Sequence, residues 1–138
     1  MVETMEIRFR TAGEGDIQNL TPSVEECLER AGLRDGLATV LVVGSTAAIT
    51  TLEFEPGLLK DIPRVLERIA PADDVYQHEL TWHDDNGHSH VKAALLGPSI
   101  TVPVADGRMT LGTWQQIVLI ELDTRPRDRQ VVVQAMGE

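Results

Sequence analysis

A single cysteine, Cys27, excludes an intramolecular disulfide framework. Aromatic residues are only 4 % of the chain, so its core must be built from aliphatic side chains. Basic residues are scarce as well: 12 Lys and Arg face 22 Asp and Glu, a net charge of −10. Such a chain repels nucleic acid at long range, and no basic stripe offsets the field, so a nucleic-acid partner is not expected. The same repulsion acts on a phosphorylated substrate, which needs a metal cation or a local group of Arg and Lys to approach. No apolar run is long enough to cross a bilayer, so no membrane partner is expected. Residues 1–10, MVETMEIRFR, lack the charged-then-apolar layout of a signal peptide, which makes the cytoplasm the expected location.

What is present suits one domain over residues 1–138, since no Pro, Gly or Ser-rich linker divides the chain. Glu6 to Arg10 alternates polar and apolar residues and reads as a half-buried strand. Thr21 is a candidate N-cap with Pro22 at the first helical position; Val24, Cys27, Leu28 and Ala31 then recur at helical spacing, and Gly32 closes the helix. On that apolar face Cys27 reads as a small core residue. Leu37 to Val43 is β-branched and almost wholly apolar and reads as a central strand. Gly44 to Thr50 reads as a bulge or a crowded strand crossing, its small residues letting backbone or ligand come close. Pro56 to Ile69 carries one apolar stripe, Leu58, Leu59, Ile62, Val65, Leu66 and Ile69, and predicts a helix with Pro63 inside it.

The spacing predicts strands at Val75 to Trp82 and His88 to Leu96, joined by a turn at Asp84-Asp85-Asn86-Gly87. Further strands follow at Pro98 to Val104, Ile117 to Leu122 and Gln130 to Met136, with a hairpin turn at Asp106-Gly107. The expected class is α+β, with a mainly antiparallel sheet of seven or more strands and two helices grouped rather than alternating.

All four histidines, His78, His83, His88 and His90, lie between Tyr76 and Gly97. On a strand, His88, His90 and Lys92 point to one face. Two imidazoles can then meet one metal, with His78 from the neighbouring strand as the third ligand. Asp84 and Asp85 are candidate acceptors for an imidazole N–H. His83, nearer the loop tip, is a poorer ligand. Two other readings stand beside this one: a polar, solvent-exposed hairpin, and general acid–base catalysis by histidine and carboxylate without a metal.

The order of motifs is more specific. Tyr76-x-His78, Asp85-Asn86-Gly87-His88-Ser89-His90, Lys92-Ala93-x-Leu95-Leu96-Gly97-Pro98-Ser99, Val102-Pro103-Val104, Asp106-Gly107-Arg108 and Leu111-Gly112-Thr113-Trp114-Gln115-Gln116 resemble the secondary thiamine-phosphate synthase family, also called YjbQ-like. Ser45-Thr46-Ala47-Ala48-Ile49-Thr50, Glu53 and Asp61 fit upstream, and Glu121-x-Asp123, Arg127, Arg129 and the closing Val131-Val132-Val133-Gln134 fit downstream. The resemblance covers about Val40 to the end. It implies a YjbQ-like fold, a homotrimer, and a histidine-lined, metal-binding site near a subunit interface. It also implies transfer of a pyrimidine diphosphate onto thiazole phosphate with loss of diphosphate. The family commonly carries a histidine just before the Ser/Thr-Thr-Ala-Ala run, where this chain has Gly44, and Leu52 replaces the asparagine that often precedes the glutamate.

Under that reading His78, His88 and His90 hold a divalent metal, Zn or Mg, or contact phosphate. Glu53 is the candidate catalytic base, provided the segment before it reaches the histidines; otherwise it is a helix-start charge. Asn86 orients a histidine or a substrate oxygen, or serves as a turn residue at positive φ. Ser45, Thr46, Lys92, Arg127 and Arg129 are candidates for binding the phosphorylated substrate, and Trp114 for stacking on its ring. Strand packing, exposed salt bridges and core or interface packing are the structural alternatives for these six. Two other functions remain open: a non-catalytic trimer that binds a metal or a phosphorylated metabolite, and a metal-dependent phosphate-ester hydrolase.

Overall fold

A computed structural model describes residues 1–138. The elements run β1 (Val2–Arg10), β2 (Ile17–Asn19), α1 (Thr21–Ala31), β3 (Gly36–Val42), β4 (Ala47–Glu53), α2 (Pro56–Ile69), α3 (Gln77–Trp82), α4 (Gly87–Leu96), β5 (Ser99–Ala105), β6 (Arg108–Met109), β7 (Gln115–Glu121) and β8 (Asp128–Gly137). They form a five-stranded sheet in the order β1-β8-β3-β5-β6 and a three-stranded sheet in the order β2-β7-β4. Every strand pair is antiparallel. No helix is long and apolar enough to cross a membrane.

Strand β7 explains the layering. Along a strand, side chains alternate between faces. Ile117 and Leu119 join the larger core, which the five-stranded sheet and α1 complete with Val40, Val131, Val133, Val24 and Leu28. Val118 and Ile120 point the other way, into a second core with Ala48, Leu66 and Ala93. The three-stranded sheet is therefore a middle layer, with α2 and α4 packed on its outer face. A strand buried on both sides reads as a continuous apolar run, as IVLI does.

The expected α1 and α2 are present. Gly32 closes α1 in the left-handed conformation, φ +69°. The cap of α1 is Leu20 rather than Thr21, and the Asn19 side chain accepts the Thr21 N–H at 3.0 Å. Asp106 and Gly107 both take positive φ in the β5–β6 hairpin. Two expected strands are instead helices: Gln77–Trp82 is α3 and Gly87–Leu96 is α4, so the fold has four helices and eight strands. Over Gly44 to Thr50 the expected bulge or crossing is instead a bend at residues 43–46 that leads into β4.

The physical reason for the two helices lies in composition. Lys92-Ala93-Ala94-Leu95-Leu96 is a run of strong helix formers without a β-branched residue. Its buried residues, His88, Ser89, Lys92 and Ala93, recur at helical spacing. Asn86-Gly87 is not a hairpin turn; Asn86 has φ −121° and Gly87 opens α4. Positive φ falls on His83 (+56°) and Asp85 (+65°), two of the side-chain types that tolerate it.

Candidate functional site

The junction between α3 and α4 is closed by Gly87. A Cβ there would lie 2.6 Å from Tyr76 Cβ and 2.7 Å from Glu79 Oε2, so only glycine lets the two helix starts meet. The Gly87 N–H donates to Glu79 Oε1 at 2.7 Å. A carboxylate from α3 thus caps the positive end of α4, where Asn86 supplies no side-chain cap.

That closure brings His78, Glu79 and Asp84 together. Their candidate ligand atoms all lie within 4.8 Å of one another. His78 Nε2 is 2.9 Å from Asp84 Oδ1. Asn86 is buried between them and turns its amide nitrogen to both, donating to Asp84 Oδ1 at 2.8 Å and to His78 Nε2 at 3.0 Å, because a carbonyl in that place would face a carboxylate. The ring direction of His78 Nε2 points to Asn86, and Asp84 Oδ1 lies 2.9 Å away outside that line. The Asn86 amide serves both atoms, and a cation that displaced it from the imidazole would find one nitrogen and two carboxylates converging. The His90 ring packs on His78 with centroids 4.4 Å apart.

The helical twist splits the predicted histidine set. Residues two apart diverge on a helix, so the strand-based expectation that His88 and His90 share a face is corrected. His90 lies with His78. His88 turns to the buried side, with its Nε2 3.0 Å from Glu14 Oε1 and its ring 6.2 Å from that of Tyr76. Burial holds the Tyr76 phenol above its usual pKa, with Asp74 adding to the effect, and the hydroxyl donates to the Pro71 carbonyl at 2.6 Å. His83 is exposed and caps α3 through its backbone.

The other predicted site residues fall in four separate places. Lys92 is buried, one helical turn from His88, and pairs with Glu14 at 3.3 Å and Glu67 at 3.1 Å. The exposed-salt-bridge alternative for Lys92 is therefore corrected: the ammonium is enclosed by the fold. Hydrogen bonding from Ala72 N–H, aided by Lys92, holds the Glu67 carboxyl below its usual pKa.

Thr46, Arg127 and Arg129 belong to a second polar network. Arg129 Nε donates to Glu121 Oε1 at 2.8 Å and its Nη2 to Thr46 Oγ1 at 2.9 Å, while Nη2 also pairs with Glu121 Oε2. Thr46 in turn donates to Asp123 Oδ2 at 3.0 Å, and Arg127 Nε to the same oxygen at 2.8 Å. Burial would raise the Asp123 pKa, but the Thr46 and Arg127 hydrogen bonds outweigh it and hold it below the usual range. Both arginines are thus already paired with carboxylates, and neither contacts a histidine.

Glu53 is exposed at the end of β4, paired in register with Gln115, beside the exposed Trp114. No hydrogen bond or ion pair joins Glu53 to the histidines, so within one chain the β4 segment does not deliver it to the cluster. Ser45 lines an open hollow with Gly44, Ala47, His90, Ala93 and Pro98. Sequence reasoning missed Glu79, Glu14 and Glu67. Only the helical periodicity of α3 and α4, had it been read, pointed to the first; nothing local marks the other two.

The comparisons with known proteins agree with this architecture. A family model described as UPF0047 protein YjbQ-like matches residues 5–138. The chain belongs to this family. The YjbQ-like chain is 42 % identical over 132 residues to a UPF0047 protein of Archaeoglobus fulgidus, covering 96 % of this chain and all of that one. It is 34 % identical to UPF0047 protein YugU of Bacillus subtilis, over 99 % of this chain and all of that one. Among solved structures, a protein of unknown function from Sulfolobus solfataricus superposes with a TM-score of 0.90 at 31 % identity, covering both chains fully. A hypothetical protein from Aeropyrum pernix superposes with a TM-score of 0.91 at 34 % identity over 99 % of each chain.

Gly44 suits the backbone it occupies in this YjbQ-like chain. Its φ is +148°, and a Cβ would sit 2.9 Å from Arg129 Nη1. A histidine at 44 cannot be accommodated without moving Arg129, which the Glu121 pair holds.

Proposed function

We propose that the α3–α4 junction binds a divalent cation and, with it, a phosphorylated small molecule. The convergence of the His78, Glu79 and Asp84 ligand atoms within 4.8 Å of one another carries this reading, because an imidazole and two carboxylates so close form a cation-binding set. One imidazole nitrogen and two carboxylates are a donor set that suits zinc, and magnesium less well. His78, Asp84 and Glu79 would hold the ion. Asn86 would keep its hold on Asp84 and release the His78 Nε2 lone pair to the ion, and His90 would support the His78 ring. His88, from the predicted triad, stands outside this set.

A bound cation supplies charge that offsets the acidic field of the chain and neutralises a departing diphosphate. The reaction implied by the family resemblance is thiamine-phosphate synthesis. The bond from the pyrimidine-bearing carbon to diphosphate breaks, diphosphate leaves with the electron pair, and the thiazole ring provides the new bond. The test is formation of thiamine phosphate from both substrates with added Zn²⁺ or Mg²⁺. Turnover lost in His78→Ala with the fold intact supports the reading; no turnover above a buffer control removes it.

A second reading is a binding protein without turnover. It is favoured by the position of Glu53, which leaves the cluster without its predicted base. Thermal stabilisation by Zn²⁺ and a phosphorylated ligand, without product, distinguishes it.

Assembly as a homotrimer belongs to the same proposal. Val75, Leu80, Trp82 and Leu95 are large apolar residues exposed on and around α3 and α4, a surface better covered than left in water. A second copy seated there would also exclude solvent from the histidines. Sedimentation giving three chain masses supports this, and a monomer at micromolar concentration removes it. Cytoplasmic residence fits the single buried thiol, Cys27.

A further inference from the structure

The inward side of α4 holds a separate arrangement. His88 and Lys92 are one turn apart, each 3 % exposed, and both approach the same atom. Glu14 Oε1 lies 3.0 Å from His88 Nε2 and 3.3 Å from Lys92 Nζ. Lys92 also meets Glu67 Oε2 at 3.1 Å.

Two features distinguish this from an ordinary ion pair. His88 Nε2 makes no hydrogen bond within the chain, because the Glu14 oxygen is near but out of line with the ring N–H. A buried ring nitrogen without a partner is a rare and costly state. Glu14, moreover, is not enclosed with the groups it touches. Its side chain is one-third exposed on the β1–β2 loop, between Gly13 and Gly15, both at positive φ. A cavity of about 170 Å³ adjoins it, lined by Glu14, Gly15, Leu66, Glu67, Lys92 and Leu122.

We propose that His88 and Lys92 form a binding site for a small oxyanion, a carboxylate or phosphate group, which the Glu14 carboxylate occupies in the free protein as an internal latch. One carboxylate oxygen shared by two donors leaves the imidazole poorly satisfied. A phosphate group has more oxygens and places one on each donor. The cavity, several times the roughly 30 Å³ share of a water, reaches Lys92 but not His88, and the space that the Glu14 carboxylate vacates joins it to the His88 ring. Thr11 N–H to the Arg127 carbonyl, 2.8 Å, and Gly15 N–H to the Glu121 carbonyl, 2.9 Å, anchor the loop on either side of Glu14. Release therefore needs a swing of the side chain alone. Glu67 stays on Lys92 throughout, so an incoming anion competes with two carboxylates for one ammonium, and binding to the latched protein is weak. None of the proposed cation ligands takes part, so this site stands or falls separately from the α3–α4 junction.

The test is calorimetric titration of inorganic phosphate at low ionic strength. Glu14→Ala is expected to bind at least ~10-fold more tightly than the wild type, and Glu67→Ala less than ~3-fold more tightly, since Glu67 does not reach His88. Glu14→Ala combined with Lys92→Met is expected to show no binding. Glu14→Gln, which keeps the shape of the side chain, carries the same direction of change if the alanine variant folds poorly. Equal affinity in the Glu14 variants and the wild type overturns the proposal. So does a gain in Glu67→Ala that matches Glu14→Ala, or binding that survives loss of Lys92.

Discussion

Gly87→Ala tests whether the α3–α4 junction is as tight as the geometry states. The added methyl would lie 2.6 Å from Tyr76 Cβ and 2.7 and 3.0 Å from the two Glu79 carboxylate oxygens. Ordinary carbon contacts are about 3.5–4.0 Å, so α3 must move by roughly 1 Å. Neither neighbour is free to withdraw. The Tyr76 hydroxyl holds the Pro71 carbonyl, and Glu79 holds the Gly87 N–H itself. Overpacking of this kind costs about 1–3 kcal/mol, and loosening the carboxylate cap adds about 1 kcal/mol. Alanine returns up to ~1 kcal/mol of helix propensity. The net expectation is a loss near 2 kcal/mol, which in a domain of this size lowers Tm by roughly 6–10 °C. Calorimetry beside Gly112→Ala is the assay, because a Cβ at Gly112 meets nothing nearer than 3.7 Å. Equal melting of the two variants would refute the reasoning.

Other expectations concern the buried polar network and the cluster. Arg129→Met strands the fully buried Glu121 carboxylate and should destabilise the fold by about 3–5 kcal/mol in urea unfolding. Asp123 and Glu67 have folded pKa values below their unfolded ones, so their stabilisation is complete above the unfolded values and is lost as pH falls. Acid unfolding should therefore steepen below about pH 4, and Asp123→Asn should flatten that limb. Asn86→Ala should weaken zinc binding by about 10–100-fold while His78 and Asp84 remain, as measured by competition with a chelating dye.

The layers were legible in the sequence because their patterns are local. IVLI, LATVLVV and QVVVQAM could be little but strands, and Pro22, Gly32 and the α2 stripe marked two helices. The α3–α4 region was misread because an Asn-Gly pair beside a short apolar run imitates a hairpin. That error carried into the site. Strand geometry put His88, His90 and Lys92 on one face, whereas helix geometry keeps His88 with Lys92 and leaves His90 with His78. Which carboxylates complete each cluster was not legible. Glu14 and Glu67 reach Lys92 across 78 and 25 residues, distances over which no spacing rule operates.

Zinc content and affinity, measured on protein without a histidine tag in the wild type, His78→Ala and His88→Ala, test the cation site most directly. The arrangement described predicts one ion per chain, lost with His78 and kept with His88, because only the first ring faces Asp84. An ion lost equally from both variants, or absent from the wild type at saturating zinc, would contradict it.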